Sequence, residues 1–124
     1  MSYDLHITRA GFWPDADQHP IPRAEWERFA ESHPELIQDG EVSWRDIGTQ
    51  PVYSYTLPDG GQASLSWHHE HVYVNGRFES VAALAELAAS LHARLVGDDH
   101  EEYHPDGSST DWAEDRPPIA PPAK

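Results

Sequence analysis

Residues 52–67, Val52-Tyr53-Ser54-Tyr55-Thr56-Leu57-Pro58-Asp59-Gly60-Gly61-Gln62-Ala63-Ser64-Leu65-Ser66-Trp67, hold two strand-like segments around a turn. Val52–Leu57 is rich in the β-branched and aromatic residues that suit a pleated surface. After the turn, Ala63, Leu65 and Trp67 alternate with Ser64, Ser66 and His68, giving one apolar and one polar face. In Pro58-Asp59-Gly60-Gly61, proline presets one dihedral and glycine accepts positive φ. The stretch predicts a hairpin whose second strand ends at Trp67 or His68, and so an antiparallel sheet.

Working outward, His71–Asn75 reads as the next strand, with Val72 and Val74 inward. On the other side, Asp39-Gly40 reads as a turn and Glu41–Ile47 as a weaker strand. At the start of the chain, Tyr3, Leu5 and Ile7 alternate with Asp4, His6 and Thr8, predicting a strand over residues 2–9. Arg23–Ser32 places Trp26, Phe29, Ala30 and His33 at helical offsets. Pro22 suits the first turn of that helix, Glu25 and Glu27 its positive end, and Pro34 its stop. A second helix is expected from Val81 to about Arg94, capped by Ser80 and striped by Leu84, Leu87, Leu91 and Leu95. Ala93–Val96 fits either its last turn or a short strand closed by Gly97.

Beyond Asp98 the apolar pattern stops, and Gly107-Ser108-Ser109, Pro117-Pro118 and Pro121-Pro122 argue against regular structure. The order of elements predicts an α+β fold, an antiparallel sheet with two helices packed on one face, for which a ferredoxin-like arrangement is one candidate. Residues 1–103 form the expected single domain, and residues 104–124 a flexible acidic, proline-rich tail.

Charge narrows the function. The chain of 124 residues carries 22 acidic against 8 basic side chains, a formal net charge of -14. The excess is not confined to the tail, since residues 1–97 have a net of -8 and residues 98–124 a net of -6. Such a field repels phosphate backbones and anionic membranes and speeds encounter with basic partners. It also keeps a small domain soluble. Cysteine is absent, which removes disulfides, thiolate nucleophiles and cysteine zinc sites. No apolar run approaches the roughly 20 residues of a membrane span, and the N-terminus lacks a leader pattern, so a cytoplasmic location is expected.

No sequence motif anchors an enzyme. GxSxG, HExxH, a phosphate-binding loop and a dinucleotide fingerprint are all missing. No cofactor is expected, and neither nucleic acid nor membrane is an expected partner. Histidine is the conspicuous residue type, with 9 copies and the cluster His68-His69-Glu70-His71. Imidazoles two apart on a strand point the same way, so His69 and His71 could share a metal ion, with His6 and His68 as further ligands, or His68 could pair with Glu70. Protonation of all 9 histidines would move the charge from -14 to -5 and weaken binding to a basic partner. Aromatics supply contact area while acids steer, so the expected partner surface comprises Glu70, Tyr73, Asp98, Asp99, Glu101, Glu102, Tyr103 and Trp112.

The stretches Ser2-Tyr3-Asp4-Leu5-His6-Ile7-Thr8-Arg9, Pro20-Ile21, Glu25-Trp26, His33-Pro34-Glu35-Leu36 and Ala93-Arg94-Leu95-Val96-Gly97-Asp98-Asp99 resemble a set of small bacterial α+β proteins similar to immunity proteins of polymorphic toxin systems. The likeness spans most of residues 2–103 and names no active residue. It implies a cytoplasmic one-domain inhibitor that occludes a toxin. The histidine cluster and the long proline-rich tail depart from that set. Together these readings predict a non-enzymatic acidic binding protein, monomer or homodimer, of the immunity type, directed at a basic protein such as a nuclease-type toxin. The alternatives are a small metal-binding protein or metal-dependent enzyme using His6, His68, His69 and His71, and a homo-oligomeric structural module.

Overall fold

The structure, a computed structural model, describes residues 4–77, 81–112 and 116–121. The elements in chain order are β1 (Leu5–Thr8), α1 (Arg23–Ser32), β2 (Leu36–Trp44), β3 (Gly48–Thr56), β4 (Gln62–His68), β5 (His71–Arg77), α2 (Ala82–Ser90), β6 (Arg94–Gly97), β7 (Glu102–Tyr103) and β8 (Ser109–Thr110). Two short 3-10 turns joined at Asp15 occupy Trp13–Gln18 between β1 and α1. The fold is α+β, with one eight-stranded antiparallel sheet in the order β2-β3-β4-β5-β1-β6-β7-β8.

The hairpin over 52–67 is present. Tyr53 faces Leu65 and Tyr55 faces Ala63, and Leu57 N–H donates to Gly61 O across the turn at 2.8 Å. The first strand lies between β5 and β6, pairing Leu5 with Val74 and Gly97, and His6 with Tyr73 and Val96. That split pairing is the one a ferredoxin-like arrangement requires. The four-strand meander β2–β5 between the helices is longer than such a core needs.

Alternation assigns the faces. Leu5, Ile7, Leu36, Tyr53, Tyr55, Leu65, Trp67, Val72, Val74 and Leu95 join Trp26 and Ala30 of α1 and Leu84, Leu87 and Ala88 of α2 in a single core cluster. Both helices therefore bury their apolar stripes on the same sheet face. Trp26, only 1% exposed, meets Tyr53 edge to face at 5.8 Å. Burying a large apolar side chain in this way contributes about 1.5–3 kcal/mol.

Several local expectations are corrected. Asp39-Gly40 is not a turn. It sits within β2 at a register shift between Gln38 and Glu41, where Gly40 takes φ 93°. This bulge lets β2 run on to Trp44, and the chain reverses at Arg45–Ile47 instead. The helix α2 stops at Ser90 rather than near Arg94 because His92 takes φ 56°. His92 N–H then bonds Ala89 O, and Ala93 N–H bonds Ala88 O, closing the helix without glycine. Ala93–Val96 is thereby resolved toward strand, as β6. Pro22 is the N-cap residue of α1 rather than part of its first turn. The expected cap Ser80 and strand residue Tyr3 lie outside the described residues.

The sheet face opposite the helices is also covered. His6, Thr8, Arg94 and Val96 point there, yet all are buried. From the stretch assigned to the tail, residues 116–121 run against this region. Ile119 N–H donates to Arg9 O at 2.7 Å, Arg94 donates to Pro117 O, and Arg116 donates to His100 O at 3.0 Å. A Cβ added to Gly11 would meet Arg116 O at 2.1 Å, so glycine permits this approach. Among the described residues, no helix is long and apolar enough to cross a membrane.

Candidate functional site: a histidine-lined pocket and an acidic surface

Strand parity brings His6 of β1, His68 of β4, and His71 and Tyr73 of β5 to the second sheet face. There they line a cavity of about 540 Å³, walled by Pro14, Ala16 and Asp17 of the 3-10 segment and by His69. The size suits a small ligand. At the far end of the β2–β3 hairpin, Trp44 packs against two of these residues, stacked on His68 at 3.9 Å and edge-on to Tyr73 at 6.4 Å.

The turn between β4 and β5 determines how the cluster is arranged. His69 and Glu70 both take left-handed backbone conformations, φ 50° and 69°, which is the signature of a type I′ hairpin turn. Such turns are normally made by Asn-Gly, and each non-glycine residue in this region costs about 1–2 kcal/mol. The expectation that His69 and His71 share a strand face is thus overturned, since His69 belongs to the turn. Nor does the cluster form one four-histidine centre; its rings divide into two groups.

In the first group, His6 Nδ1 and His71 Nε2 are 3.1 Å apart, His6 Nε2 lies 3.0 Å from Asp98 Oδ1, and His71 Nδ1 lies 3.3 Å from His69 O. Three contacts in line require three N–H protons, whereas two neutral rings carry two. One added proton completes the chain, and the ring beside the Asp98 carboxylate is the one placed to hold it. Burial opposes that charge. It lowers His6 against the pull of Asp98, and it drives His71 down to about 3, with help from His6. Tyr73 is raised to about 12 by burial and then by Asp4, so its phenol stays protonated.

In the second group, Asp46 from the β2–β3 turn meets both remaining rings. Its Oδ2 is 2.7 Å from His69 Nε2 and its Oδ1 is 3.5 Å from His68 Nε2. These three side chains could hold a metal ion, their ligand atoms lying within 4.8 Å of one another. Sequence reading missed Asp46, Trp44 and Asp98 as partners of the histidines. None is near the cluster in sequence, and no motif links them.

The expected partner-binding residues fall on several elements. Asp98 and Asp99 are exposed in the β6–β7 turn, Glu70 is in the β4–β5 turn, and Tyr73 lines the cavity. Glu102 is committed internally, to Arg94 at 3.2 Å and Arg116 at 3.5 Å, and Glu101 accepts from Tyr103 Oη at 2.7 Å. Trp112 is 39% exposed and packs beside Phe12 at 5.3 Å and His100 at 5.7 Å.

Most of the described arginines are committed to internal partners. Arg9 is 1% exposed, forks onto both oxygens of Glu25, and donates to the carbonyls of Pro20, Leu91 and His92. Arg23 pairs with Glu27 at 2.8 Å, and Arg94 and Arg116 share Glu102. Among the described residues, only Arg28 and Arg45 are exposed arginines, while Glu31, Glu35, Asp39, Glu41, Glu86 and Asp99 are among the exposed acids. The chain matches no protein-family model, no curated protein and no solved structure.

Proposed function

We propose that this chain is a non-enzymatic acidic binding protein, most concretely an immunity-type inhibitor that occludes a basic protein in the cytoplasm, such as a nuclease-type toxin. One observation carries the reading. Among the described residues, Arg9, Arg23, Arg94 and Arg116 are held by internal partners, and exposed carboxylates outnumber the exposed arginines Arg28 and Arg45. Exposed charge of one sign raises the rate at which an oppositely charged partner arrives and sets the register in which it docks. Aromatic area at the rim, notably Trp112, adds contact surface where the acids steer.

Capture on the tagged chain from its native extract at low salt, followed by titration of the purified basic partner at rising salt, tests the reading. One equivalent bound, with affinity falling steeply as salt rises, supports it. A chain that takes up nothing basic, or whose binding ignores salt, overturns it.

A further inference from the structure

We infer that Asp46, His68 and His69 form a binding site for one divalent transition-metal ion of the zinc class, beside the cavity on the second sheet face. Neighbouring residues on a plain strand point to opposite faces. His68 and His69 instead lie with ring centres 3.9 Å apart, because His69 takes φ 50° at the first position of the turn. The turn therefore brings together two rings that a strand would separate. Asp46 arrives from a different hairpin, and its two oxygens face the two Nε2 atoms at 2.7 and 3.5 Å.

The geometry suits a small ion. Metal–nitrogen and metal–oxygen bonds of about 2.0–2.2 Å in a tetrahedron set ligand atoms roughly 3.3–3.5 Å apart. The His68–Asp46 separation of 3.5 Å already has that spacing. The shorter His69–Asp46 contact opens by small rotations, since those side chains are 61% and 47% exposed. Two imidazoles and one carboxylate favour zinc-class ions over magnesium or calcium, which take all-oxygen shells. Stacking on Trp44 at 3.9 Å and 16° fixes the plane of the His68 ring, and His71 Nδ1 lies against the His69 carbonyl at 3.3 Å. These contacts hold the His68 ring and the turn backbone in place before an ion arrives. Three protein ligands leave a fourth coordination position for solvent or a small ligand, and two of them, His68 and His69, also line the cavity. The site thus extends beyond the acidic binding surface and does not depend on it.

Calorimetric titration of the whole chain with Zn²⁺ at neutral pH, alongside Trp fluorescence, tests the assignment. One equivalent should bind in the micromolar range or tighter, with a change in emission that Trp44→Phe removes, and millimolar Mg²⁺ should not compete. Losses in the outer shell cost roughly 10–100-fold in affinity, so Asp46→Asn should weaken binding by at least about that much. The double variant His69→Asn, Glu70→Gly restores the residues preferred in this turn, so it should fold at least as well while losing the ion. No saturable uptake of one equivalent, displacement by Mg²⁺, or undiminished uptake by both variants would overturn the site.

Discussion

His6 and His71 face each other at 3.1 Å across 65 residues of sequence, with Asp98 closing one end of the pair and the His69 carbonyl the other. The two rings are buried on the sheet face opposite α1 and α2, beside the 3-10 segment and the cavity it walls. Burial of this imidazole pair opposes its protonation, which makes the fold respond to acid.

Stability should decline as pH falls from about 6.5, the ordinary histidine value, toward about 3, the depressed value of His71. In that window the unfolded chain holds the proton and the folded chain does not, so acid favours unfolding, by about 1.4 kcal/mol per pH unit at the limit of one proton. Urea midpoints measured with chelator present should follow this slope, and His71→Gln should flatten it.

Arg9 and Glu25 tie β1 to the first turn of α1. Removing one member of a buried pair strands the other charge, so Glu25→Ala should destabilise the chain by about 3 kcal/mol. Its carboxyl is held below the ordinary value chiefly by the hydrogen bonds from Arg9, which means that this contribution is lost as pH falls through the depressed value. The equivalent measurement on Arg23→Ala, whose pair with Glu27 is partly exposed, should show less than about 1 kcal/mol.

Gly11→Ala should displace residues 116–121, because the new methyl overlaps the Arg116 carbonyl. Overpacking of this kind costs about 1–3 kcal/mol. Hydrogen exchange should show the Ile119 amide, which donates to Arg9 O at 2.7 Å, exchanging faster in the variant. Unchanged protection there would reject the docking of this segment against β1.

The variant His69→Asn, Glu70→Gly should raise the thermal midpoint, with a gain of about 1 kcal/mol from relieving two non-glycine left-handed residues. A loss of stability would mean that the side chains at the turn hold the fold rather than strain it.

Neutralising Glu31, Glu35, Asp39 and Glu41 together, at the end of α1 and along the edge strand β2, should slow association with a basic partner about tenfold or more at low salt. Dissociation should change much less, as expected for steering. Stopped-flow mixing at two ionic strengths separates the two rates.

Much of the fold was legible because its signals are local. The alternation of Ala63, Leu65 and Trp67 and the Pro58–Gly61 turn gave the hairpin, and Pro34 marked the end of α1. Helix–sheet packing on one face follows from the apolar stripes alone. Asp39-Gly40 misled because the same dipeptide serves a turn or a bulge, and the choice depends on pairing with β3. The end of α2 was hidden because a histidine occupies the left-handed position that glycine usually marks.

The candidate site was legible only as a list of residue types. Composition and charge established an acidic chain rich in histidine, without cysteine or a catalytic motif. Register decided the rest. Placing β1 between β5 and β6 set His6 beside His71, and the reversal at Arg45–Ile47 carried Asp46 to His68 and His69. Spacing along a chain reports which side chains share a strand face. Which strands become neighbours, and which turns take left-handed backbone, is settled by the burial of the whole sheet against its helices.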